Sequence, residues 1–225
     1  MLKLDAENIP YLYFSQTGED KLVLSYLEQI SGYYVDVGAY DPITFSNTFA
    51  FYLRGLRGIN IEPNPDAIPA FEHLRSEDKT INMGVSRNAQ DLDYYSFNLP
   101  TFNTFNKDFA ERILSNQSGL VQHSIRKIPT RPLTDILNEH APQDQPFQLL
   151  SVDAEGMDLE VLQSLDWKKY RPEIVLVEDL AFEIEDPQSS VLFQFMKSQS
   201  YTLVAKTVST LMFHENERFM KRKKI

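Results

Sequence analysis

The feature that most constrains this chain is its ending. YTLVAK (201–206) and STLMFHE (209–215) are separated by Thr207 and Val208 alone, a connection that only an antiparallel hairpin can make, because parallel strands need a crossover of about a dozen residues. Everything before it alternates differently. YYVDV (33–37), GINIE (58–62), QLLSV (148–152) and EIVLVE (173–178) are short apolar runs of the kind buried on both faces of a parallel sheet, with further strands in TINMGVS (80–86) and DLDYYSF (91–97). Between them lie segments of helical spacing. One covers 19–31, with Leu22, Val23, Tyr26, Leu27 and Ile30 on one stripe and Gly32 as its stop. Another is opened by Asn64 and Pro65 and weakened by Pro69. Others follow Pro132, cover 157–166, and follow Asp186 and Pro187 with Val191, Leu192, Phe195 and Met196 inward. The alternation predicts an α/β sheet. Residues 99–128 show no clear period and read as a lid or substrate loop within a single domain spanning 1–225.

Composition removes several function classes. The chain has 225 residues but only 8 glycines, about half the average usage of ~7%. Neither a GxGxxG triad nor a GxxxxGK loop occurs, which disfavours a dinucleotide oxidoreductase and a phosphate-cradling site. With no cysteine, thiol nucleophiles, zinc–thiolate sites, iron–sulfur clusters and disulfides are excluded, and a reducing compartment fits. The formal charge of −10 opposes nucleic-acid binding. The basic cluster Lys221, Arg222, Lys223, Lys224 reads as a solvated terminus. No apolar run reaches the 18 or so residues of a membrane span, and the opening MLKLDAENIPYLYF carries no signal pattern. The expectation is a soluble, cytoplasmic protein with a small-molecule or glycan partner.

The residues that suggest chemistry sit at strand ends. YYVDVGAYDP (33–42) runs from a strand into Asp36 and Gly38 and on toward a helix, the geometry of a ligand cradle at the carboxyl edge of a sheet. The second strand ends in Glu62, whose carboxylate can accept both hydroxyls of a ribose or serve as a plain structural acid. Asn64 either assists it or caps the next helix.

SQTGED (15–20), YYVDVGAYDP, FSNTF (45–49), GINIEPNP (58–65), SVDAEGMDLEVLQSLDW (151–167) and RPEIVLVE (171–178), in that order, together resemble the FkbM family of S-adenosylmethionine-dependent methyltransferases. The resemblance implies a class I methyltransferase (Rossmann-like) fold: a mostly parallel seven-stranded sheet with a C-terminal antiparallel hairpin and helices on both faces. It also implies cofactor contacts. Asp36, Gly38 and Ala39 would line the methionine half, with Tyr40 standing where members often carry a small or polar residue. Glu62, Pro63 and Asn64 would hold the ribose, Gly84 and Val85 the adenine, and Gln16, Gly18, Glu19 and Asp20 would close the methionine end beside Asp153. Glu19 and Asp20 serve equally well as acids complementing a helix N-terminus.

In DAEGMD (153–158), Asp158, like Glu160 after it, reads as a first-turn acid, whereas Asp153 ends a buried strand. Methyl transfer from a sulfonium to a hydroxyl requires removal of the hydroxyl proton, by a base or with a metal ion. Asp153 or Glu155 is the candidate base. Alternatively Asp153, Glu178 and Asp179 offer the oxygen ligands that suit Mg²⁺, as in metal-dependent O-methyltransferases. His123 is either a base over the substrate or incidental, and Phe102, Phe105 and Phe109 either stack on a sugar or anchor the lid. The expected activity is O-methylation of a sugar, polysaccharide or secondary-metabolite hydroxyl. The alternative is a non-catalytic nucleoside-binding or interaction protein that retains the fold.

Overall fold

The computed structural model describes residues 12–222. Residues 1–11, and Lys223 and Lys224 of the basic cluster, lie outside the described residues. In chain order the elements are α1 (Glu19–Tyr26), β1 (Tyr33–Val37), α2 (Phe49–Tyr52), β2 (Arg57–Ile61), α3 (Ile68–Leu74), β3 (Lys79–Ile81), β4 (Gly84–Val85), β5 (Gln90–Phe97), α4 (Lys107–Asn116), β6 (Gln122–Arg131), α5 (Leu133–His140), β7 (Phe147–Val152), α6 (Asp158–Gln163), β8 (Ile174–Glu178), α7 (Val191–Ser198), β9 (Tyr201–Lys206), β10 (Thr210–Glu215) and α8 (Asn216–Arg222).

The main sheet has the order β3-β2-β1-β7-β8-β10-β9, with β10 alone running against its neighbours. This is the class I methyltransferase arrangement. β1 and β7 are buried along their whole length, so alternate residues feed two cores. Tyr33, Val35 and Val37 meet Leu133 and Leu137 of α5, Val161 of α6 and Met196 of α7 on one face. Tyr34, Leu149 and Leu176 meet Val23 of α1 and Phe51 of α2 on the other. Each such side chain contributes about 1.5–3 kcal/mol of burial, and helices therefore cover both faces. No helix among the described residues is long and apolar enough to cross a membrane.

Several local expectations change. The first helix stops at Tyr26, and Gly32 (φ +88) is a close approach rather than a helix stop: a Cβ there would lie 2.0 Å from the Pro146 carbonyl oxygen. Pro69 falls in the first turn of α3, where its missing N–H is one of the helix's free donors and costs nothing. Asn64 caps no helix; its Oδ1 accepts from Asp66 N at 3.1 Å, closing a local turn. The run 80–86 splits between two sheets, with β4 joining β6 and β5 in a separate three-stranded sheet. In α7, Val191 points outward and Phe193 inward.

The largest correction concerns 99–128, which is an ordered helix and strand rather than an irregular loop. α4 buries only Phe109, Ala110 and Ile113, and most of β6 faces solvent. Neither element therefore writes a long apolar period into the sequence.

The centre of the second face is polar. Arg75, at the end of α3, is fully buried. It pairs with Asp78 at 2.8 Å and donates to Tyr34 Oη (2.7 Å), Thr48 Oγ1 (3.0 Å) and Ser46 Oγ (3.3 Å). Asp78 in turn accepts from Tyr34 Oη (2.6 Å), Gly58 N (2.8 Å) and Asn60 Nδ2 (3.0 Å). Removing one member strands a buried charge. We therefore expect Arg75→Met to cost about 3–5 kcal/mol, a fall in thermal midpoint of roughly 6–20 °C. Arg75→Met/Asp78→Asn should recover part of that loss. Calorimetry of the two variants checks both, and an unchanged single-variant midpoint would refute the role given to this pair.

Candidate active site

The parallel strands all end at one edge, and there a cavity of about 530 Å³ opens. Its floor is the turn after β1. Gly38 has φ +76, and a Cβ would meet the Asp153 carbonyl oxygen at 1.8 Å, so only glycine lets the β1 and β7 ends come together. The ladder continues into the turn, with Gly38 N donating to Ile61 O and Asp153 N to Val37 O, both at 3.0 Å. Asp36, Gly38, Ala39 and Tyr40 line the cavity, with Glu62, Pro63 and Asn64 beside them and Gly84 and Val85 further along.

Glu62 is 4% exposed. It accepts from Tyr40 N at 2.8 Å and Asn64 N at 2.7 Å, one bond to each oxygen. Burial nevertheless raises its pKa to about 7. Asp36 accepts from Thr48 Oγ1 at 2.7 Å, which joins it to the Arg75 network. Burial raises its pKa, against the lowering pull of Thr48 and Arg75.

The N-terminal motif divides. Gln16 and Glu19 line the cavity; Gly18 and Asp20 do not. Asp20 is occupied by Phe14 N and Ser15 Oγ, each at 2.8 Å, and builds the turn that presents its neighbours. Glu19 accepts from Thr17 and, at 2.6 Å, from Thr207 Oγ1 of the β9–β10 turn. Burial pushes its pKa upward, but the bonds from Thr17 and Thr207 outweigh that and hold it below the ordinary value. The C-terminal hairpin thus fixes an acid from the start of the chain.

The acids after β7 and β8 also divide. Asp153, Glu155 and Glu178 bring carboxylate oxygens within 4.8 Å of one another, and all three line the cavity. Asp179 does not join them: its carboxylate accepts from Ser190 Oγ (2.6 Å) and Ala181 N (3.2 Å), tying down the start of α7. The third member of the acidic set is therefore Glu155: Asp179 lies past the end of β8, and its carboxylate is engaged by Ser190 and Ala181 instead. Glu155 takes the left-handed conformation (φ 47), which non-glycine residues rarely adopt. Its turn is held by Asp158, which accepts from Ala154 N (2.9 Å) and Gly156 N (3.2 Å), and by Thr104 Oγ1 donating to Glu155 O (2.7 Å).

This cluster has little compensation. Asp153 Oδ1 is shielded from solvent with no hydrogen-bond partner among the described residues. Burial first, then the charges of Glu178 and Asp158, pushes the Asp153 pKa far up. Burial, followed by Asp153, Glu178 and Asp158, puts Glu155 at about 10. Glu178 lies at about 7, through burial and then Asp158 and Asp179.

Residues 100–105 and one face of α4 complete the wall. Phe102, Phe105 and Phe109 all face the cavity, and Gly84 is glycine because a Cβ would press into the Phe105 ring at 2.5 Å. Tyr94 joins them, its ring 4.8 Å from Phe105. None of the four histidines lines the cavity; His123 is exposed on β6. Sequence reasoning missed Tyr94, Thr104, Arg112, Thr207 and the Arg75 network. Only Arg112 carried a signal, its helical spacing from Phe109 and Asn116.

A carboxyl whose folded pKa lies above its unfolded one holds more protons when folded, so stability is greatest at low pH and falls as pH rises through the folded value. For Glu155 the window runs from the ordinary 4.5 to about 10. We expect thermal stability to fall between about pH 6 and pH 9. Glu155→Gln should flatten that slope and raise the midpoint at about pH 9, by ~2–4 °C per kcal/mol recovered. Melting curves across pH check this, and an unaltered slope would refute the crowding.

Among the comparisons with known proteins, one family model matches. The family described as the methyltransferase FkbM domain matches residues 36–203, from the end of β1 to the middle of β9. Among solved structures, precorrin-6y C5,15-methyltransferase from Geobacter metallireducens GS-15 is 10% identical, with 87% of each chain covered and a TM-score of 0.43, too distant to carry an argument. No curated protein matches the sequence significantly. With the family match spanning residues 36–203, well over half of the chain, the chain belongs to the FkbM family of methyltransferases.

Proposed function

We propose that this methyltransferase moves the methyl group of S-adenosylmethionine to a hydroxyl of a sugar, glycan or secondary metabolite. The observation that carries the reading is the pairing of two acids at one sheet edge, Glu62 at the end of β2 and Asp153 after β7. Glu62, already holding two backbone N–H groups, keeps lone pairs for a diol such as the ribose. Asp153 Oδ1 lacks a donor among the described residues and would suit the cationic methionine end, which Gly38, Ala39, Gln16 and Glu19 of the cavity lining would help to hold. Gly84, Val85 and Phe105 offer an apolar slot for the adenine. When bound, S-adenosylmethionine supplies a methyl group made electrophilic by its sulfonium.

The chain's own acids then handle the proton. Positive charge seated beside Asp153 offsets the repulsion within the cluster and lowers its carboxyl pKa values. Asp153 or Glu155 becomes the base that takes the proton from an acceptor hydroxyl at hydrogen-bond distance. Bound cofactor and acceptor would displace water, which otherwise solvates the carboxylate and weakens it as a base.

A second reading rests on the convergence of Asp153, Glu155 and Glu178. Three carboxylates at that spacing suit a hard divalent ion such as Mg²⁺, with water and the acceptor oxygen completing its shell. It would lower the hydroxyl pKa directly.

Titration calorimetry should detect S-adenosylmethionine and its demethylated product in the same site, and no binding of either would end the proposal. Glu62→Ala should weaken that binding more than tenfold, with unchanged affinity removing the ribose role. Label from the methyl group should reach an acceptor in a base-stable linkage, as an ether does. A protein that binds the cofactor yet never transfers label would be the non-catalytic alternative. Transfer that persists after exhaustive chelation favours the base, whereas loss restored by Mg²⁺ favours the metal.

A further inference from the structure

Six carboxylates line this cavity: Glu19, Asp36, Glu62, Asp153, Glu155 and Glu178. Against them, among the described residues, stands one cationic side chain, Arg112 of α4. Phe109, Arg112, Ile113 and Asn116 face the cavity from one stripe of the helix, and Gln117, just past its end, joins them. α4 and the residue after it therefore present a mixed rim: a buried aromatic ring with an exposed guanidinium and two exposed carboxamides beside it. The Arg112 guanidinium lies 5.2 Å from the centroid of the Phe109 ring, and it makes no ion pair with an acid of the described residues. Its helix neighbour Glu111 is turned to Lys107 at 3.6 Å.

The helix is held in place at its start. Asn106 accepts from Phe109 N at 3.0 Å and donates through Nδ2 to Gly156 O at 3.1 Å. Because Gly156 follows Glu155 directly, the wall carrying Arg112 is tied to the turn carrying the candidate base.

We propose that Arg112 selects an acceptor that carries a carboxylate or phosphate on a polyhydroxylated ring, an acidic sugar or a sugar phosphate. The inference rests on the methyl-transfer reading above and names the substrate class of that site. The charge distribution gives the cavity a direction. An anionic group is repelled by the strand-end acids and attracted to Arg112, so the ring enters with its charged end on α4 and its hydroxyl toward Glu155. A planar guanidinium donates two parallel hydrogen bonds to such a group. Asn116 and Gln117 offer the neutral donors and acceptors that ring hydroxyls need, and Phe109 and Phe102 offer apolar surface to the ring face.

The test uses the full chain loaded with S-adenosylhomocysteine and three probes, D-glucuronate, D-glucose 6-phosphate and D-glucose, followed by saturation-transfer NMR. At least one anionic probe should bind at least tenfold more tightly than glucose. Arg112→Gln should remove that preference, and Arg112→Lys should keep part of it. Whichever anion binds more tightly identifies the carboxylate or the phosphate as the recognised group. Equal behaviour of the three probes, including no binding of any, would overturn the proposal, as would anion binding that survives Arg112→Gln. Failure of S-adenosylhomocysteine to bind the unaltered chain in the preparatory titration would instead sink the methyl-transfer reading.

Discussion

The site depends on a buried guanidinium. Arg75 sits in the dry interior of the second face, where an unpaired charge is prohibitive, so Asp78, Tyr34, Thr48 and Ser46 must all stay within its reach. Those partners come from the segment after α3, from β1 and from the loop before α2. Satisfying one charge thus fixes the loop that leaves β1. Thr48 passes the constraint to Asp36, and Asp36 stands two residues before the glycine turn that forms the cavity floor. Apolar packing alone would hold the helices near the sheet without dictating where that loop runs.

The remaining walls are fastened in the same way, by a polar bond between distant segments. Thr207 of the hairpin turn holds Glu19, and Thr104 and Asn106 hold the Glu155–Gly156 turn. These ties keep Asp153, Glu155 and Glu178 closer than like charges prefer. The fold supports that repulsion through packing elsewhere, and the crowding provides a place where a cation is welcome and a proton can be taken up. Stability given up at a site in this manner is common where a protein must bind charge.

Much of the fold was legible because burial writes itself into composition. β1, β7 and β8 are covered on both sides, so they read as unbroken apolar runs, and the two-residue gap before STLMFHE allowed nothing but a hairpin. The segment 99–128 was illegible for the opposite reason. β6 faces solvent and α4 buries three residues, so their order comes from pairing with β5 and from contact with the 154–156 turn, neither of which leaves a local period. Asp179 was misplaced in the acidic set because it lies past the end of β8, where bonds to Ala181 and Ser190 engage its carboxylate.

The sequence by itself determined the sheet, the closing hairpin and the family, since these follow from local periodicity and from motifs that keep their order along the chain. It also determined that the site would be acidic and free of thiols. Tertiary structure decided which acids meet. Glu155 replaced Asp179, Asp20 became scaffolding while Glu19 reached the cavity, and Arg112 emerged as the one cation among the described residues opposite the six carboxylates. The physical reason is that pairwise distance in a folded chain is set by the turns and long-range bonds that bring strand ends together, and those are properties of the whole packing rather than of any one segment.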